Sequence, residues 1–464
     1  MKLFKILLFT LLLGTKLFAQ VIPDPHGSSN ISEGEAIVQD IDKDGKDELI
    51  LISKSLQYEI YTKGENGAEQ IATGDFVNGT GYLSGKPTIS GDIIAIPIHG
   101  VSVNVNSIYL YYFDPGFYPN LMGQYSPVVE YAKMPYYLSI DSIDYDYDGD
   151  NKNDFILAWT EYPTPNSSEP YKSYVAFVGL RDFRIRRLDI PFEYENSVVV
   201  YSVQKEINTP NPDPAVRILL SETYYYYNYA SFNHFVGIYE IGKDSFKGPN
   251  NPLSPVTHTG EKWITNLPSL NGPVGITSPL KGEEMFFGPL LKYHGLDVLV
   301  MEFGLYPAGG DPIPDIQVLV SSSEPKSPFI NFGGGSLLQL PDIPNISQFY
   351  RSSIGDYNLD GKYEVGLFLR FYPVGSFIPA GAYLLVTNLY FGGGMSQLID
   401  VSSPTWGSSV TLDLVDVATG DFNGDGRPDL AYIVVGYYGQ TMAEVNFLYS
   451  NPSAPSYAPL TRGI

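Results

Sequence analysis

The chain has 464 residues, no cysteine and a formal net charge of −23 at pH 7. Lack of cysteine excludes disulfides and thiol-linked lipid anchors, and the acidity argues against nucleic acid and anionic membrane surfaces as partners. Aromatic residues make up 14%, with 37 Tyr, 46 Gly and 36 Pro, a mixture of strand formers and turn residues that disfavours a helical fold.

In chain order, the first feature is a positive start at Lys2 and Lys5, followed by the apolar run Ile6 to Leu13. The run is too short to span a bilayer. With the small residue Ala19 ahead of Gln20 it reads as a signal peptide over 1–19, removed on export. The expected location is secreted, periplasmic or cell-surface. No later segment is apolar enough to cross a membrane as a helix.

The first of four acidic segments runs Asp40-Ile41-Asp42-Lys43-Asp44-Gly45-Lys46-Asp47-Glu48. The others align with it without gaps. They are Asp146-Tyr147-Asp148-Gly149-Asp150-Asn151-Lys152-Asn153-Asp154, Asp356-Tyr357-Asn358-Leu359-Asp360-Gly361-Lys362-Tyr363-Glu364 and Asp421-Phe422-Asn423-Gly424-Asp425-Gly426-Arg427-Pro428-Asp429. Positions 1, 3 and 5 supply carboxylate or amide oxygens at alternate residues, so they converge on one point. Calcium, a hard cation, takes six to eight such oxygens. Position 6 is Gly or Asn, the types that best tolerate a left-handed turn. Position 7 is Lys46, Lys152, Lys362 or Arg427. A basic side chain cannot ligate calcium, so this position is expected to offer its backbone carbonyl. Position 9, always Asp or Glu, closes the shell. About four calcium ions are expected.

An EF-hand loop needs a bidentate Glu at position 12. Here that position holds Leu51, Leu157, Leu367 or Tyr432. Each loop instead runs into a short apolar stretch, giving repeats near 40–53, 146–159, 356–369 and 421–435. Such runs predict strands buried on both faces.

The loop starts at 40, 146, 356 and 421 are separated by 106, 210 and 65 residues. With one unit near 65 residues, these are two, three and one unit lengths. The expected architecture is therefore all-β, a single seven-bladed β-propeller of four-stranded antiparallel blades over 20–464. Three degenerate blades turn near 91, 206 and 292, at Ser90-Gly91-Asp92, Glu206 to Pro214 and Lys292 to Gly295. The acidic loops resemble the FG-GAP repeats of integrin alpha chains and the VCBS repeats of bacterial exported proteins. That resemblance implies a calcium-stabilised propeller. It does not imply one activity, because fold does not fix function.

In such a blade the acidic loops join the first and second strands, and the turns after the second strands gather on the opposite face. Tyr162, Tyr226, Tyr306, Tyr372 and Tyr437 fall there. Tyrosine offers a rigid apolar face and a hydroxyl for stacking on a sugar or gripping a protein. The alternative is that these residues cap duplicated strands. No zinc-protease, nucleophile-elbow, phosphate-loop or dinucleotide motif is present, and no catalytic residue is assigned. The leading expectation is a monomeric, non-catalytic binding or adhesion module for a protein or glycan. A polysaccharide-active lyase or hydrolase and a structural component of an envelope assembly remain as alternatives.

Overall fold

The computed structural model describes residues 28–65, 67–76, 81–100, 105–125, 135–143, 146, 149–161, 172–180, 185–188, 198–207, 215–226, 231–242, 262–264, 285–293, 296–305, 313–321, 329–331, 346–355, 357, 364–371, 381–388, 397–400, 411–437, 441–450 and 460–462. Side chains are described within 28–100, 106–125, 138–159, 174–180, 415–436 and 443–450, and at residues 355 and 357. The expected signal segment 1–19 lies outside these residues.

The apolar runs after the acidic segments are strands. Glu48–Ser53 is buried at every residue, and Leu430 to Val435 are no more than 1% exposed. Continuous burial means that both faces of these strands are covered. Leu49 and Leu51 pack in one cluster with Ala431, Ile433 and Val435. Ile50 and Ile52 face the other way, into a cluster with Ile94, Ile96 and Ile98. A third cluster joins Ala95 and Leu110 to Phe155, Leu157 and Trp159. Alternate side chains of one strand thus serve two different inter-sheet cores, the two-residue period of a strand.

The sheets follow one another along the chain. The first contains Gly34–Gln39, Glu48–Ser53, Gln57–Gly64 and Gly67–Asp75, each antiparallel to the next. In the second, Gly81–Leu83 and Thr88–Ser90 both pair with Ile93–Gly100, followed by Val105–Phe113 and Pro119–Tyr125. The third contains Pro135–Ser142, Phe155–Glu161, Lys172–Val178 and Ile185–Leu188. The fourth is eight-stranded and holds two antiparallel runs, Val198–Ile207 to Lys262–Ile264 and Met285–Tyr293 to Phe329–Asn331. The fifth contains Ile346–Gly355, Glu364–Phe371, Gly381–Asn388 and Gln397–Asp400. The last contains Thr411–Gly420, Asp429–Tyr437 and Thr441–Ser450, completed by Leu460–Arg462 and by Ser28–Ser29.

The expectation of seven separate four-stranded blades is therefore corrected. Among the described residues there are six sheets, two of them five-stranded and one eight-stranded. The merger arises where Glu206 and Ile207 pair in parallel with Leu290 and Leu291. Two inner strands pointing the same way have come close enough to share ladder bonds.

The arrangement is propeller-like. Thr411–Gly420 lies beside Gly34–Gln39, which neighbours Thr88–Ser90, which neighbours Pro135–Ser142. The path continues through Val198–Ile207, Met285–Tyr293 and Ile346–Gly355 back to Thr411–Gly420. The ring is also closed by strand exchange. Ser28 sits opposite Glu444 and Ser29 opposite Ala443, so the start of the described chain supplies an outer strand to the last sheet. Buried Glu59, from the first sheet, holds this strand in place. Its carboxylate accepts hydrogen bonds from Ser29 Oγ at 2.6 Å, Asn30 N at 3.1 Å and Tyr61 Oη at 2.6 Å.

Candidate metal centres

The acidic segments all connect the first and second strands of a sheet, so the topology sets them on one rim. Their shape comes from backbone-to-carboxylate bonding. The position-1 Asp is the hub. Asp421 Oδ1 accepts the N–H groups of Gly424 at 2.8 Å and Asp425 at 3.0 Å, and Oδ2 accepts that of Gly426 at 2.7 Å. Asp146 does the same for Gly149, Asp150 and Asn151, at 2.7, 3.0 and 2.7 Å. Asp40 Oδ2 accepts from Gly45 at 3.2 Å. Position 3 caps position 5 through Asp42 with Asp44 at 3.0 Å and Asn423 with Asp425 at 2.9 Å. Position 5 caps position 7 through Asp44, Asp150 and Asp425, at 2.8 to 3.1 Å. These are Asx turns in series.

The winding needs two left-handed residues per loop. Position 6 is one, at Gly45 with φ 88°, Asn151 with φ 64° and Gly426 with φ 78°. Position 4 is the other, at Lys43 with φ 64°, Gly149 with φ 79° and Gly424 with φ 75°. Sequence reasoning missed position 4, because Lys43 carries no left-handed signature. A non-glycine residue there costs on the order of 1 kcal/mol, so the surrounding bonds must hold it.

Where it is described, position 2 anchors the loop in the core. Ile41 is 7% exposed, and Tyr357 and Phe422 are fully buried. Phe422 stacks on Phe447 with centroids 4.6 Å apart. At position 7, Lys46 Nζ lies 3.3 Å from Asp44 and the Arg427 guanidinium 3.8 Å from Asp425. The basic side chains lie along the outside of the loops.

Position 9 is the electrostatic centre. Glu48, Asp154 and Asp429 are at most 1% exposed. Asp154 Oδ1 accepts from Leu180 N at 3.0 Å and Asp429 Oδ1 from Ser450 N at 2.8 Å, tying both loops to the end of the neighbouring third strand. The longer Glu48 turns back to Ile41 N at 2.8 Å. Burial raises Glu48 from 4.5 to about 7; the Ile41 N–H opposes this, and Asp42, Asp40 and Asp44 add to it. Burial likewise raises Asp429 from 3.8 to about 7, opposed by the Ser450 N–H and assisted by the charges of Asp425 and Asp421.

Asp40, Asp42 and Glu48 each place an oxygen within 4.8 Å of the others. Asp40 Oδ1 and Asp429 Oδ2 are buried without a hydrogen-bond partner. An oxygen-only donor set with buried acceptors left unsatisfied fits a hard dication such as calcium or magnesium. The residues able to hold one in the first loop are Asp40, Asp42, Asp44, the Lys46 carbonyl and Glu48. In the last loop they are Asp421, Asn423, Asp425, the Arg427 carbonyl and Asp429. In the second loop Asp146, Asp150, Lys152 and Asp154 are described, whereas Asp148 lies outside the described residues. Asp356, Asn358, Asp360 and Lys362 of the third loop also lie outside them, and Glu364 is described only as a strand residue opposite Gly355.

Of the tyrosines expected on the other face, Tyr226 and Tyr437 end the second strands Ala215–Tyr226 and Asp429–Tyr437, where they pair with Ser231 and Thr441. Tyr162, Tyr306 and Tyr372 lie outside the described residues, each one position beyond a second strand ending at Glu161, Leu305 or Phe371.

Residue 47, at position 8, was not singled out from the sequence. Asp421 N donates to Asp47 Oδ2 at 2.7 Å, and Asp47 N donates to Asp421 O at 2.9 Å. The first and last acidic loops are thereby joined.

No protein-family model matches the chain, and no curated protein matches it. Solved structures similar to it include two crystal structures of BBS1N in complex with ARL6DN, one soaked with lead and one with mercury. They are 10% and 11% identical, with TM-scores of 0.44 and 0.43. The matches cover 94% and 91% of this chain and 99% and 96% of those chains. The resemblance to FG-GAP and VCBS repeats is thus carried by the loop sequences alone.

Proposed function

We propose that this chain is a calcium-stabilised, non-catalytic binding propeller that works outside the cytoplasm and engages a protein or glycan on its tyrosine-bearing face. The observation that carries the cation reading is Asp429. Its carboxylate is fully buried, one oxygen has no partner, and Asp421 and Asp425 face it. A buried acceptor left unsatisfied costs on the order of 1–3 kcal/mol; a dication at that point removes the cost and the mutual repulsion together. In this reading the four acidic loops take about four ions.

Calcium binds the folded loop and not the unfolded chain, so it stabilises by linkage. In excess chelator the melting temperature falls, and added calcium restores it. Elemental analysis of the calcium-loaded protein finds about four calcium ions per chain. Unchanged melting in chelator together with no bound metal overturns the reading. The binding face is tested separately. Replacing Tyr306 and Tyr372 together by Ala weakens capture on a glycan or protein array while melting stays nearly unchanged. Tyrosine variants that unfold would instead mark these residues as strand caps.

A further inference from the structure

We propose that the acidic loops at 40–48 and 421–429 bind their cations cooperatively, coupled through the Asp47–Asp421 bridge; this rests on the cation reading above.

The two loops belong to the first and last sheets, which the ring makes neighbours. Three contacts join them. Asp47 Oδ2 accepts the Asp421 N–H at 2.7 Å, and the Asp421 carbonyl accepts the Asp47 N–H at 2.9 Å. A Cβ on Gly424 would sit 2.9 Å from Lys46 Cγ and 3.3 Å from the Gly45 carbonyl oxygen, so the two loop backbones are in close packing. Asp47 lies between Lys46 and Glu48, two residues that would hold the first ion. Asp421 is the hub that organises the last loop and would hold the second. Whatever fixes Asp47 therefore fixes the backbone on which the other site is built.

Two effects oppose each other. Filling one loop reduces the negative field that attracts an ion to its neighbour. That effect acts across an exposed rim and is screened by salt. Ordering the shared backbone is completed at the first binding event and is not needed again at the second. The shared backbone is in direct hydrogen-bonded contact, so the ordering effect wins and the coupling is positive.

The loop at 146–154 is the internal control. Its position-8 carbonyl, Asn153 O, accepts from Ser90 Oγ at 2.8 Å. Ser90 belongs to the turn at 90–92, which carries no acidic loop. This site has no cation-binding neighbour on that side and is expected to be independent.

The test is calcium titration of the full chain in competition with a chromophoric chelator. Asp425→Ala removes one ion and weakens another at least about fivefold, close to 1 kcal/mol by the tenfold-per-1.4 conversion. Asp150→Ala removes one ion and leaves the others at their original affinities. Asp47→Ala, which alters no proposed ligand, keeps the full number of ions but flattens the isotherm. Adding Asp425→Ala to it then removes one ion with no further weakening. Should Asp47→Ala fail to fold, Asp47→Asn keeps the shape with a weaker acceptor and gives a smaller effect in the same direction. Equal isotherms for the Asp425 and Asp150 variants, apart from the lost ion, overturn the coupling while leaving the cation reading standing. Absence of any calcium binding by the unaltered protein overturns both.

Discussion

Glu48 and Asp429 give the metal-free protein a distinctive pH dependence. Each holds its proton more tightly when folded, at about 7 against ordinary values of 4.5 and 3.8. Between those limits the folded state binds more protons than the unfolded one, so stability falls as pH rises through the window. The loss is on the order of 2 kcal/mol per acid once part of the shift is discounted for solvent. Chelator-treated protein is therefore expected to melt at a lower temperature at pH 7.5 than at pH 5. On the proposed calcium reading, saturating calcium is expected to reverse the slope, because the ion would compete with those protons. Melting curves across this range, with and without calcium, check both signs. The gathering of Asp40, Asp42 and Glu48 oxygens at one point was legible from residue type and spacing alone. The role of Asp47 was not, because its partner Asp421 is remote in sequence and only ring closure brings them together. Lys43 was illegible for a different reason, since its φ of 64° is imposed by the bonds around it.

At the scale of strands and loops, the position-2 aromatic Phe422 couples the acidic rim to the core. Phe422 is fully buried and stacked on Phe447. Phe422→Ala is expected to cost about 3 kcal/mol, within the range for buried aromatics, and to release the ion of that loop before the others. Chemical denaturation paired with a calcium count tests it. Gly420 is a second seam. A Cβ there would lie 2.5 Å from Val38 Cγ1 and 3.0 Å from Asp47 Oδ2, across the junction of the first and last sheets. Gly420→Ala should lower stability by about 1–3 kcal/mol, the usual range for overpacking. The doubly buried strands were legible because a continuous apolar run has no polar face to turn outward. The eight-stranded sheet was not legible. A parallel contact confined to Glu206–Leu290 and Ile207–Leu291 depends on how two strand ends approach, and neither segment carries a pattern that specifies it.

At the scale of the whole molecule, the ring depends on one exchanged strand and one buried carboxylate. Glu59→Ala leaves Ser29 Oγ and Tyr61 Oη without their shared acceptor at a buried site. A loss of about 3 kcal/mol or more is expected, since several hydrogen bonds to a charged group go at once. Equilibrium denaturation measures it, and Glu59→Gln, which keeps one acceptor, should lose less. The repeat spacing made the all-β ring legible. The clasp was not, because Ser28 and Ser29 have no apolar pattern and Glu59 looks like any polar residue on an alternating strand.

Pairing Ser28 with Glu444 gives this fold a contact between strands very remote in sequence. During synthesis the exchanged strand is made long before its acceptor. It waits unpaired while the intervening sheets form on local contacts. Closing so long a loop is entropically costly and late, so the clasp is absent from the main folding barrier. A change at Glu59 should then speed unfolding and hardly alter refolding, making ring closure a determinant of lifetime more than of folding speed.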